Sequence, residues 1–241
     1  MFFSDKRYLY VILTIFIITG LMGMTQDRIL SLVLTLPAVL IAITFHEFAH
    51  AFAANKLGDD TPEAQGRLNL NPLSHIDPVG FVLLLFAGFG WGKPVQINPR
   101  NFDRKYSMET GEAIVAFAGP LMNFILAIVF SFIYVAMFKF APAFLGTQTG
   151  EIVWTIVGST ALMNVGLGLF NLIPLPPLDG SKILIRFLPY NVKRWVSEKE
   201  SIFYIIFLII WITGLAGYII TPALEFVSNG LIHIASLILR V

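Results

Sequence analysis

Long apolar runs decide what this chain can fold into. Stretches of roughly 20 mostly apolar residues recur at 8–24, 29–57, 112–138, 152–173, 201–220 and 222–239. A helix rising about 1.5 Å per residue needs about 20 such residues to cross a hydrocarbon core of about 30 Å. Inside that core the chain must satisfy its own backbone N–H and C=O groups, and a helix does so within one segment. The runs therefore predict an all-α polytopic membrane protein with about six transmembrane helices, embedded in a lipid bilayer as one integral domain over residues 1–241. Composition agrees. Only 13% of residues are charged and 56% are hydrophobic, against about 25% charged in a soluble domain.

The segment between the second and third runs breaks this pattern. Its apolar stretch, 79–89, has about 11 residues, too few to cross, so a re-entrant or interfacial segment is expected. In "KPVQINP" Val95 and Ile97 alternate with polar residues, which predicts a short strand or hairpin. Basic residues orient the whole. With the N-terminus cytoplasmic and six spans, about 14 of the 16 Lys and Arg fall inside, leaving Arg28 and Lys139 outside. Cytoplasmic loops carry such an excess. This reading puts both termini in the cytoplasm of a prokaryotic cell. The apolar run after Met1–Arg7 lacks a small-residue cleavage site, so a retained span is expected there. A net charge of +1 offers no bulk attraction to nucleic acid. The absence of cysteine excludes disulfides and cysteine-based metal sites.

The second run ends in "ITFHEFAH", which holds His46, Glu47 and His50. Residues four apart share a helix face, so the two imidazoles can bind one metal ion. The intervening glutamate can then take a proton from water, whose pKa zinc lowers to about 7. His46 lies ten residues before Lys56, roughly 15 Å along a helix, too deep to reach the headgroups with ease. Ionisable groups at such depth mark function by default.

A catalytic zinc takes three protein ligands and keeps one position open. "NLIPLPPLDG", residues 171–180, offers Asp179 on a run broken by three prolines. The second and fourth runs share one direction, and HEFAH and Asp179 both lie near their inner ends. Asp179 is thus at the right depth to complete the site. Capping the short helix expected from about Ser181 is its other reading.

HEFAH in one span and NLIPLPPLDG in a later one resemble the site-2 protease family of intramembrane zinc metalloproteases. "GRLNLNPLSHIDPVG", "GWGKPVQINPRNF" and "AGPLMN" resemble its compact six-span prokaryotic branch, without a PDZ or CBS domain. Ser181 stands where many relatives have a second glycine. The resemblance implies that His46, His50 and Asp179 bind one Zn2+, that Glu47 is the general base, and that the substrate is a transmembrane protein or peptide. Asn171 would donate to the oxyanion, hold the substrate strand or tie down the helix break. Asn123 and His75 are candidates for the shell around the ligands, each with a plain packing alternative. Glu225, Asn229 and His233 form one polar stripe on the last run, read as an interhelical contact or a substrate gate. A metal-binding membrane transporter is the alternative function, since it also uses intramembrane His and Asp but needs no base at Glu47.

Overall fold

The computed structural model describes residues 22–87 and 92–241, with positions 14, 17, 18 and 20 before them. The expected first span, 8–24, lies largely outside the described residues, as do residues 88–91 of the expected re-entrant segment.

The described chain is helical. Helix α1 runs Gln26–Lys56, where Thr25 accepts from the Arg28 N–H at its start and Gly58, at φ +98°, follows its end. A glycine in left-handed conformation past the last turn is a common helix stop. Two four-residue turns, Thr61–Ala64 and Pro72–His75, precede α2, Pro78–Ala87. Helix α3 spans Met108–Phe140 from a Ser107 cap, and α4 spans Gln148–Asn171 from a Thr147 cap. Then come α5 at Asp179–Ile185, α6 at Tyr190–Glu198, α7 at Glu200–Ile212 and α8 at Leu215–Leu239. Four described helices, α1, α3, α4 and α8, are long and apolar enough to cross a membrane. The protein is an all-α polytopic membrane protein.

Small residues bring the three central helices together. Ala38, Ala42, Ala49 and Ala54 of α1 are buried, as are Val115, Ala116 and Ala127 of α3. Without a hydrophobic force between helices in lipid, close backbone approach through small side chains supplies the packing. Helices α1 and α3 run antiparallel, with His50 beside Val115 and Ala42 beside Asn123. Helix α4 is antiparallel to α3 in turn, with Asn164 beside Asn123 and Trp154 donating to Tyr134 O.

Three expectations need correction. The run at 201–220 is not one helix: α7 stops at Ile212, and Gly214, at φ +73°, turns the chain into α8. Pro222 was expected to start a new helix, but it sits inside α8, where it leaves one backbone bond unmade without ending the helix. With 13 residues, α7 is about 20 Å long and too short to span. The Lys139 ammonium donates to Leu239 O and Arg240 O, so the end of α8 lies beside the end of α3. That is the end of the bundle opposite the 57–107 segment. Finally, among the described residues "KPVQINP" forms no strand. Residues 93–98 carry no regular secondary structure, with Asn98 in extended conformation, and an isolated antiparallel bridge joins Ile76 to Gly92.

Candidate metal centre and active site

Helix periodicity puts His46 and His50 on one face of α1, with their Nε2 atoms 3.0 Å apart. Asp179 reaches them from the far side of the helix break. Its Oδ2 lies 3.2 Å from His46 Nε2 and 3.1 Å from His50 Nε2. Helix α5 begins at Asp179 itself, after Leu178 and without a side-chain cap bond. The carboxylate is therefore turned toward the histidines, and its capping alternative is not realised.

The partners of the two rings decide where their protons sit. His50 Nδ1 lies 2.7 Å from Val115 O. A carbonyl can only accept, so Nδ1 carries a proton and donates it. His46 Nδ1 lies 2.6 Å from Asn123 Oδ1. The Asn123 amide donates through Nδ2 to Ala42 O at 3.1 Å and to Asn164 Oδ1 at 2.9 Å. Its oxygen is thereby committed to His46, whose Nδ1 also donates. In the neutral rings both Nε2 atoms then carry bare lone pairs, aimed at each other and at a carboxylate oxygen. Three electron pairs converging within 3.2 Å repel unless a cation sits among them. Ligands about 2.0–2.1 Å from a tetrahedral zinc are spaced by roughly 3.3 Å, so this donor set fits zinc.

Two further features shape the centre. Gly119 of α3 faces the rings: a Cβ there would stand 2.5 Å from His50 Nε2 and 2.7 Å from His46 Cε1. Glycine is what lets α3 approach both imidazoles. Glu47, half-buried on α1, accepts from the Val95 N–H at 3.1 Å through Oε2. The segment that supplies this N–H is itself held in place. Buried Arg67 donates to Ser74 O and Pro94 O, Lys93 N–H donates to His75 O at 2.8 Å, and Asn98 N–H donates to Asp59 at 2.7 Å.

These groups line one cavity of about 390 Å³, whose walls include His46, Glu47, His50, Asn171 and Asp179. Asn171 donates to Leu167 O at 3.1 Å, one turn back on α4, and so secures the helix end while facing the cavity. His75 is buried, with Nε2 2.7 Å from Asn69 O. It joins neither the three ligand atoms nor the cavity wall. Glu225, Asn229 and His233 are exposed on α8. The sequence reading did not single out Asn164, Arg67 or Gly119, and it named Val95 only for its place in an expected strand. Each acts through a partner distant in sequence, and only an asparagine within an apolar run could have drawn notice to Asn164.

The profile of Peptidase family M50 matches residues 140–213, which carry Asn171, Asp179 and the break between them. A protein of Bacillus subtilis named "Putative zinc metalloprotease YwhC" is 37% identical over 214 residues, covering 87% of this chain and 92% of its own. The chain belongs to peptidase family M50, the site-2 proteases. Rip2 of Mycolicibacterium smegmatis is 28% identical, covering 75% of this chain and 67% of its own. MJ0611 of Methanocaldococcus jannaschii is 27% identical, covering 87% and 97%. Both carry the same zinc metalloprotease description. No solved structure matches the chain. With its membrane-spanning helices, this M50 member is an intramembrane zinc metalloprotease, and none of these relatives is described as a transporter.

Proposed function

We propose that His46, His50 and Asp179 hold the zinc, and that Glu47 is the general base for hydrolysis of a peptide bond in or near a transmembrane segment. The observation that carries this reading is the convergence of three electron pairs at 3.0–3.2 Å in the cavity that also holds Glu47. Bound there, zinc supplies a Lewis acid that polarises the scissile carbonyl and makes water acidic. The chain's own groups do the rest. Glu47 takes the proton of the attacking water on a carboxylate oxygen and passes it to the leaving amine nitrogen. The Val95 N–H holds Oε2 and leaves Oε1 free for that exchange. Asn171 has a second N–H beyond the one given to Leu167, available to the developing oxyanion or to the substrate backbone.

The site faces the cytoplasm in this reading. The end of the bundle that carries it bears the basic residues of 56–105 and 182–199, whereas Arg28, Lys139 and Arg240 lie at the other. The partners are the bilayer and a membrane-spanning protein or peptide.

Glu47→Gln is the decisive variant. It should retain stoichiometric zinc while cleavage of host membrane proteins falls by about 100-fold or more, the usual contribution of a general base. Unchanged cleavage would sink the assignment of Glu47. Zinc lost together with activity would mean that Glu47 serves the metal rather than the water.

A further inference from the structure

A second cavity lies against the first. It measures about 70 Å³ and exposes no polar surface. The end of α4, the helix break, α7 and the start of α8 enclose it. Phe170, Leu178 and Phe207 line both cavities, so the two are neighbours that share these side chains. Leu178 directly precedes Asp179, and Phe170 directly precedes Asn171. The small cavity is therefore one residue away from a ligand atom and from the end of the helix break. Phe170 and Phe207 pack with ring centroids 6.0 Å apart, and Phe170 meets Trp211 edge-on at 5.2 Å.

We infer that this cavity is a specificity subsite that receives one aliphatic side chain of the substrate next to the bond being cut. The inference rests on the proteolytic reading above. A substrate strand lying across His46, His50 and Asp179 projects its side chains to alternate sides. On the α7–α8 side it meets the small cavity, which exposes no polar surface, so a charged or amide side chain inside it would be left unpaired. Size sets the other limit. An apolar cavity of about 150 Å³ holds a benzene ring. At about half that volume this one admits valine, leucine or isoleucine and rejects phenylalanine and tryptophan. The protein would thus select an aliphatic residue at one fixed distance from the scissile bond.

Two substitutions change the cavity in opposite senses without touching the metal centre. Ala216→Leu fills it from α8, and Ile210→Ala enlarges it from α7. Zinc-loaded wild type and both variants would be incubated with membranes of the host lacking its own copy. New peptide termini would be sequenced and those also produced by Glu47→Gln removed. In wild type, one position beside the cut should be enriched in Val, Leu and Ile. Ala216→Leu should shift that position toward Ala and Gly by about tenfold, and Ile210→Ala toward Phe and Met by a similar factor, as one or two methylenes do in an apolar pocket. The same residue preference in all three proteins would overturn the inference, as would a uniform loss of all products, which would mark the space as a packing void or a seat for a lipid chain. No Glu47-dependent termini from wild type would overturn the proteolytic reading itself, and the inference with it.

Discussion

Asn164 touches none of the three ligand atoms, yet it fixes one of them. Its Oδ1 accepts from Asn123 Nδ2, and its own Nδ2 donates to Thr160 O at 2.8 Å, so it cannot turn over without losing both bonds. Remove it, and only the bond to Ala42 O still opposes a flip of the Asn123 amide. The flipped amide offers Nδ2 to His46, whose proton then moves to Nε2 at the cost of the lone pair. Asn164→Leu should therefore weaken zinc retention against a competing chelator by roughly tenfold, the usual scale for groups behind a ligand. In an Asn123→Ala background the same change should add little, since both act through one bond. Full additivity would mean that Asn164 only packs. Gly119→Ala should be harsher, because the new Cβ would stand 2.5 Å from His50 Nε2. Zinc content of the purified protein measures it, and normal content would refute the close-approach argument. At this scale the sequence was most legible where a local period fixes geometry. HEFAH could be read because residues four apart must share a face. Asn164 could not, because its partner lies 41 positions away.

The segment after α2 teaches a different lesson. Alternation in "KPVQINP" says nothing about where the backbone hydrogen bonds go. Its N–H groups donate to His75 O, Glu47 and Asp59, and its Pro94 carbonyl accepts from Arg67, rather than pairing with a neighbouring strand. Asp59 is the anchor. It is fully buried just past the Gly58 turn and accepts from the Thr61 hydroxyl and N–H, the Asn98 N–H and the Asn101 amide. Burial alone would push its carboxyl up. The hydrogen bonds, led by that of Thr61, outweigh this and hold it below the ordinary carboxylate range. A group whose pKa falls on folding stabilises the fold above its unfolded value, about 3.9 for Asp, and that contribution is lost as pH drops through the folded value. Asp59→Asn should therefore melt lower than wild type near neutrality. Between about pH 6 and pH 3 wild type should lose the larger share of its melting temperature, and the two curves should converge. Parallel curves would show that the ionised carboxylate is not what holds the segment.

At the scale of the whole molecule, hydropathy located the helices that cross and misjudged the one that does not. The run 201–220 looked continuous because Thr213 and Gly214 are two weakly polar residues in an apolar context. A left-handed glycine ends a helix whatever the hydropathy around it. With α7 only 13 residues long, α8 runs from the end of the bundle that holds the candidate site to the other end. Helix α8 starts beside the helix break, where Ala216 and Ile173 line the same small cavity. It passes Gly166 at Leu224 and ends at Lys139. It thus runs parallel to α3, away from the metal centre. The positive-inside count tolerates this, because only Arg240 changes side. The absence of native cysteine makes the point directly measurable. Lys105→Cys, Gly146→Cys and Val241→Cys each place one thiol at an exposed position. In right-side-out vesicles a membrane-impermeant maleimide should label positions 146 and 241 and spare 105, with the pattern inverted in inside-out vesicles. Position 241 labelling together with 105 would mean that α7 completes a crossing and that α8 returns the chain to the side of residue 105. The arrangement has a consequence for the active site. Helices α1, α3 and α4, tied by the His46–Asn123–Asn164 chain, form its fixed wall. Helix α7 closes the opposite side, with Tyr204 and Phe207 on the catalytic cavity. At 13 residues α7 packs against the bundle through fewer turns than α1, α3 or α4. Cysteines replacing Phe207 and Phe170, whose rings pack against each other, and joined by a bifunctional thiol reagent with a reducible bridge, should leave zinc bound and cut cleavage of membrane substrates by about tenfold or more, reversed by reductant. Undiminished cleavage by the crosslinked protein would show that substrate reaches the metal centre by another face.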